Sequence, residues 1–169
     1  MFPDFASLER LLAFHCAPAL AGIKPACLVS LPVRGRSSLS RELAGLGAEL
    51  AAASIRLFPL CACKNRLLLL VFRTNRLQEH LSSPEPAAFL RKYGYADPSN
   101  LRRALAHLRR NFSPPGGFPH EIGVFLGYPL EDVRGFKMCI RDSPHRAGAC
   151  GRAAPPGGRR KRCIRSCGG

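Results

Sequence analysis

The sequence predicts an α+β domain over residues 1–136: a small sheet containing a β-hairpin, covered by several amphipathic helices. Three observations predict it. Leu39, Leu43, Leu46 and Leu50 recur at helical spacing, as do Leu101, Ala104, Leu105 and Leu108, so each segment carries one apolar stripe that has to be buried. Ile55, Leu57 and the run Leu67 to Phe72 lie on either side of Lys64-Asn65-Arg66, the pattern of two strands joined by a turn. Hydrophobic residues make up 46% of a chain of 169, which supplies one core and leaves no room for two comfortable ones.

Taken in order, Asp4 can cap a first helix in which Phe5, Leu8, Leu11 and Leu12 share a face, and Pro18 is expected to stop it. Ala26 to Leu31 is compatible with a strand. The stretch Arg34-Gly35-Arg36-Ser37-Ser38 then gives a turn and a cap for the helix of Leu39 to Leu50, which Gly45 and Gly47 weaken by up to about 1 kcal/mol each relative to Ala. The second hairpin strand is apolar at consecutive positions, so both of its faces should be covered and it should lie inside the sheet. Ser83-Pro84-Glu85 reads as a cap, a first-turn proline and a favourable N-terminal carboxylate, with Gly94 placed to end that helix after Tyr93. Asp97-Pro98 repeats the start signal for the helix of Leu101 to Leu108. Arg102, Arg103, Arg109 and Arg110 fill its other face, which reads as a solvated helix surface. After the Pro114-Pro115-Gly116-Gly117 loop, Phe118 to Phe136 offers two short helices around Gly127. The Leu39 to Leu50 stripe is expected to face the same core as Leu68, Leu70, Leu101, Leu105 and Leu108.

The formal charge of +15 invites a nucleic-acid partner, since Lys and Arg on one surface neutralise phosphates. Its distribution argues against one. Residues 137–169 hold 9 Lys/Arg and 1 Asp, a net +8, and residues 1–136 hold 17 basic and 10 acidic groups, a net +7. The Met1-Phe2-Pro3-Asp4 start has no basic region ahead of an apolar stretch, and no apolar run approaches the roughly 20 residues that span a bilayer. The expectation is a soluble, intracellular, cytoplasmic protein with no membrane partner, whose eight cysteines are reduced.

Two stretches, His15-Cys16-Ala17-Pro18-Ala19-Leu20-Ala21-Gly22-Ile23-Lys24-Pro25-Ala26 and Phe118 to Phe136, resemble the bacterial domain-of-unknown-function family DUF3793. The intervening Phe89-Leu90-Arg91-Lys92-Tyr93-Gly94-Tyr95 is similar to it as well, so the resemblance covers nearly all of residues 5–136. It implies a family and no mechanism. The family pattern continues past Phe136 with a strand bearing Cys and aromatic residues and a further helix, whereas this chain reads Lys137-Met138-Cys139-Ile140-Arg141-Asp142-Ser143. With permitted codons that heptapeptide back-translates to a sequence containing AGATGTGTATAAGAGACAG, the transposase mosaic end used in sequencing libraries. Residues 137–169 are therefore expected to be a foreign or out-of-frame, unpacked tail joined to a domain cut short at its C-terminus.

Chemistry is sparse. His15 and Cys16 close the first helix and His120 and Glu121 open a later one; imidazole, thiolate and carboxylate together suit a transition metal, although the spacing is not a metal signature. Their presence in the two resembling stretches leads to the expectation that they converge. Thiol catalysis by Cys16 would need a histidine within hydrogen-bond reach, and Cys61-Ala62-Cys63 puts two thiols on one face of a strand. Glu121 to Tyr128, followed by Val133 and Phe136, also has the pattern of a helix-turn-helix, but Glu131 and Asp132 stand where phosphates would be met. The functional expectation is an accessory protein holding a metal or redox ligand through His15, Cys16, His120 and Glu121, the alternative being a non-enzymatic interaction module, for which helix-turn-helix-like nucleic-acid binding is one form.

Overall fold

The computed structural model describes residues 8–33, 36–63, 65–112 and 118–135. The expectations for Asp4, Phe5 and the tail from Lys137 lie outside these. Along the chain run α1 (Leu8–Leu20), β1 (Ala26–Pro32), α2 (Arg36–Ala51), β2 (Ile55–Cys63), β3 (Arg66–Arg73), α3 (Thr74–Ser82), α4 (Pro84–Arg91), α5 (Leu101–Asn111) and α6 (Ile122–Phe125). A further short helix, α7, occupies residues 130–135. The fold is α+β, with a three-stranded antiparallel sheet of order β1-β3-β2.

The β2–β3 hairpin forms as the sequence predicts, and β3 is the central strand. Leu69, Leu70 and Val71 are all fully buried because successive side chains of β3 point to opposite faces and helices cover both. Leu67, Leu69 and Val71 face a layer made by α1 and α2, where Leu12, Cys16, Leu39, Leu43, Leu46 and Leu50 pack. Leu68, Leu70 and Phe72 face a second layer with Leu77, Leu81, Leu90, Leu101, Leu105, Leu108, Val124 and Phe125. This corrects the single shared core. The leucines of α2 and those of α5 are buried on opposite sides of the sheet, since helical periodicity tells which stripe is covered but not which sheet face covers it.

Boundaries also differ from expectation, and one helix is additional to it. Pro18 does not stop α1 but sits in its last turn. Ala21 N still donates to Ala17 O, and the helix ends at Gly22, whose φ of 77° is the left-handed conformation of a C-terminal stop. The cap of α5 is Asn100, not Asp97: its side chain accepts from Arg103 N at 3.2 Å. Helix α3 has no counterpart in the sequence reading. It leaves β3 without a side-chain cap hydrogen bond, and its apolar stripe consists of Leu77 and Leu81, one turn apart and both fully buried. Edge strand β2 shifts register between Pro59 and Cys61, a bulge that a proline lacking an N–H tolerates at a sheet edge.

Candidate functional site: a buried dithiol

Helix α1 turns back onto the sheet through the segment between Leu20 and Ala26, so its last turns pack on the start of β1. Cys16 follows Leu12 by one helical turn and shares its inward stripe. On β1 the odd positions Cys27, Val29 and Leu31 point into the same layer. Cys16 and Cys27 therefore meet. The two thiols are close enough to influence each other's ionisation, and the Cys27 thiol donates to the carbonyl of His15, the residue before Cys16, at 3.1 Å. Cys16 is 0% exposed whereas Cys27 is half-buried, and neither is in a disulfide.

The pair is electrostatically asymmetric. The S–H of Cys16 stabilises a thiolate on Cys27, and with help from the Lys24 ammonium and the Leu28 backbone N–H it lowers the Cys27 pKa to about 7 against the opposing cost of partial burial. The Cys16 thiol is pushed strongly up, first by its hydrogen bond to Cys27, then by burial and by the negative charge its neighbour acquires. The proton thus stays on the inner sulfur. As a thiol Cys27 points its S–H at the His15 carbonyl, and as a thiolate it accepts from Cys16.

Of the other expected ligands, the His15 side chain is exposed, edge-on to Phe14 at 5.3 Å between ring centroids. Glu121 is 5% exposed and precedes α6 without capping it. Its Oε1 accepts from Asn111 Nδ2 at 2.6 Å and from the Tyr95 hydroxyl at 3.4 Å. Burial, and then the Glu121 charge, push the Tyr95 hydroxyl well above its ordinary pKa, so it remains a donor. This carboxylate ties α5 and the segment after α4 to the start of α6. His120 lines an apolar pocket of about 300 Å³ with Phe118, Ile122, Leu126, Tyr128 and Val133.

Cys16 and Glu121 thus belong to layers on opposite faces of the sheet. Among the described residues no group of three or more His, Cys, Asp and Glu is gathered as a metal site requires. The two resembling stretches do touch, but through other residues. A side chain at Gly127 would meet Pro25 at 2.7 Å, and Lys24 Nζ lies 5.4 Å from the centre of the Tyr128 ring. Sequence reasoning missed Cys27. The signal was present in two periodicities, Cys16 with Leu12 at helical spacing and Cys27 with Val29 and Leu31 at strand spacing, but nothing local says that the two apolar stripes face each other.

A second concavity runs between the sheet and the starts of α3 and α5, as two adjoining hollows of about 460 and 630 Å³ that share Thr74, Leu101 and Arg102. Asp97, Ser99 and Arg56 contribute polar walls, with no nucleophile set against an acid or base. The segment with the helix-turn-helix pattern is a single-turn α6 with all four residues buried, followed by α7, which exposes Glu131 and Asp132. Arg134 on α7 lies over the Phe89 ring at 5.8 Å. No helix among the described residues is long and apolar enough to cross a membrane.

No curated protein and no solved structure matches the chain. The family model described as protein of unknown function (DUF3793) matches residues 12–148, which includes both resembling stretches and extends past Phe136 through the Lys137 to Ser143 heptapeptide. Every strand and helix described above lies within that span apart from the first residues of α1, and the chain belongs to the DUF3793 family.

Proposed function

We propose that the protein is a cytoplasmic thiol-redox accessory protein in which Cys16 and Cys27 interconvert between a dithiol and a disulfide. The observation that carries this reading is that Cys16 and Cys27 share one packed layer, with the Cys27 thiol donating to the carbonyl of His15, the residue next to Cys16, on a helix and a strand already packed together. Neighbouring thiols on elements already packed together need little backbone movement to bond, and a reducing compartment keeps them as thiols at rest. Of the two ligand types expected from the sequence, redox is the better supported, because His15, Cys16, His120 and Glu121 are spread over two layers. The activity is assigned to the domain of residues 1–136 and none of it to residues 137–169. The alternative, an interaction module of the helix-turn-helix kind, has weaker support in a one-turn buried α6 and an acidic α7 surface.

The test is peptide mapping of the full chain after treatment with diamide. Lys24 precedes Pro25, so trypsin leaves both cysteines on one peptide, residues 11–34. The expected result is the loss of two hydrogens from that peptide, reversed by dithiothreitol. A peptide that keeps two alkylatable thiols after diamide overturns the proposal.

A further inference from the structure

The two cysteines are unequal in ways that set an order of events. Cys16, on the inward face of α1, is fully buried, so its sulfur offers no surface to an incoming disulfide. Cys27 is half-buried near the start of β1, with the exposed Lys24 beside it. The turn joining α1 to β1 is basic. Around Gly22, Arg73 and Arg76 come within 3.5 and 3.9 Å of the position a side chain would take. Arg73 is engaged with the Leu20 and Ala53 carbonyls, while Arg76 is a surface group in a 3.8 Å contact with Glu79. Lys24 thus presents positive charge beside Cys27, at the end of a turn that Arg73 and Arg76 flank at Gly22.

Resting on the dithiol reading, we propose that Cys27 is the attacking thiol and Cys16 the resolving thiol towards a small disulfide that carries carboxylates. The Cys27 thiolate attacks one sulfur of the substrate. A bond forms between Cys27 and that half, the substrate S–S bond breaks, and the other half leaves as a thiolate that takes a proton from water. Cys16 then gives its proton to water, and its thiolate attacks the Cys27 sulfur. The protein disulfide forms, and the second half leaves and is protonated in turn. Two protein thiols have been oxidised, one external disulfide has been reduced to two thiols, and the protons balance. Lys24 favours the anionic nucleophile and the anionic substrate alike, and before ionisation the S–H bond to the His15 carbonyl keeps the resting Cys27 thiol beside its resolving partner.

The experiment uses the full chain with glutathione disulfide as the anionic probe and cystamine as the cationic one. In a Cys16→Ser variant a glutathione adduct should accumulate on Cys27, and in a Cys27→Ser variant adduct formation on Cys16 should be about tenfold slower or worse, because the remaining thiol is buried and protonated. Since Cys16 is a core residue, the wild-type chain provides a second reading: acid quenching at early times should place the first adduct on Cys27. Glutathione disulfide should react faster than cystamine, and raising the salt concentration should shrink that preference. First adducts on Cys16, or equal labelling of the two, would overturn the order of attack. A faster reaction with cystamine would overturn the substrate class. Either failure leaves the diamide cross-link intact, whereas absence of that cross-link would defeat the dithiol reading itself.

Discussion

At the scale of single residues, a proton shared between two sulfurs decides which one reacts. The folded pKa of Cys27, about 7, lies below the ordinary value of 9.0, so at neutral pH more thiolate is present in the folded chain than in the unfolded one, and it is lost as pH falls through about 7. Iodoacetamide labelling of Cys27, followed on the peptide of residues 11–34, should therefore rise to half its maximum near pH 7 when folded and near pH 9 in denaturant. Lys24→Gln should move the folded midpoint upward, and a folded midpoint already near 9 would contradict the assigned environment. Glu121 makes the opposite point. Its sequence neighbourhood reads as a ligand pair, but the structure spends the carboxylate on Asn111 and Tyr95 inside the second layer. Glu121→Ala strands both donors in a buried setting and should cost about 1–3 kcal/mol in urea titration, while Glu121→Gln, which keeps an acceptor oxygen, should cost less. Equal losses for the two variants would mean that volume, not hydrogen bonding, is what the site needs.

At the scale of elements, the structure shows why the two stretches that resemble the family lie side by side. Gly127 has a φ of 76° and its missing side chain leaves room for Pro25, so the link between α6 and α7 rests on the turn entering β1. Gly127→Ala combines a left-handed backbone with a 2.7 Å clash and should destabilise the protein by more than about 1 kcal/mol. A neutral result would place that contact among the dispensable ones. Gly45 in α2 is the contrasting case, with nothing within 4 Å of an added methyl. There Ala should stabilise by up to about 1 kcal/mol, read as a higher urea midpoint. Most elements were legible because prolines, glycine turns and apolar runs are local signals: the Leu67 to Phe72 run gave the central strand, and Pro84 opens α4. That helix nevertheless ends at Arg91 rather than Tyr93, with Gly94 at φ 84° in the turn beyond it, and the Ser83 hydroxyl donates to the Glu79 carbonyl instead of capping. Helix α3 was not legible. It has no capping side chain, begins where the strand ends, and shows its core side through only Leu77 and Leu81.

At the scale of the whole molecule, the sheet is what sequence periodicity could not supply. Alternation along β3 divides the leucines into two layers, so Leu46 and Leu105, which look equivalent in a helical pattern, never meet. The same division separates Cys16 from Glu121 and brings Cys16 to Cys27, eleven residues away in sequence but joined by a helix folding back on its own strand. Half of the candidate site was therefore readable. Cys16 was singled out by its neighbourhood, while Cys27 looked like one more small apolar residue in a strand, because the apposition of α1 and β1 is a tertiary fact. The central claim is that these two thiols form one two-electron couple. The measurement that tests it most directly equilibrates the full chain in a series of glutathione redox buffers, quenches in acid and reads the oxidation state of the peptide of residues 11–34. The account predicts a single transition with a two-electron slope, in which the peptide loses two hydrogens and passes through little mixed disulfide. A peptide that retains both thiols across the series, or that accumulates glutathione adducts without ever closing the Cys16–Cys27 bond, would contradict it.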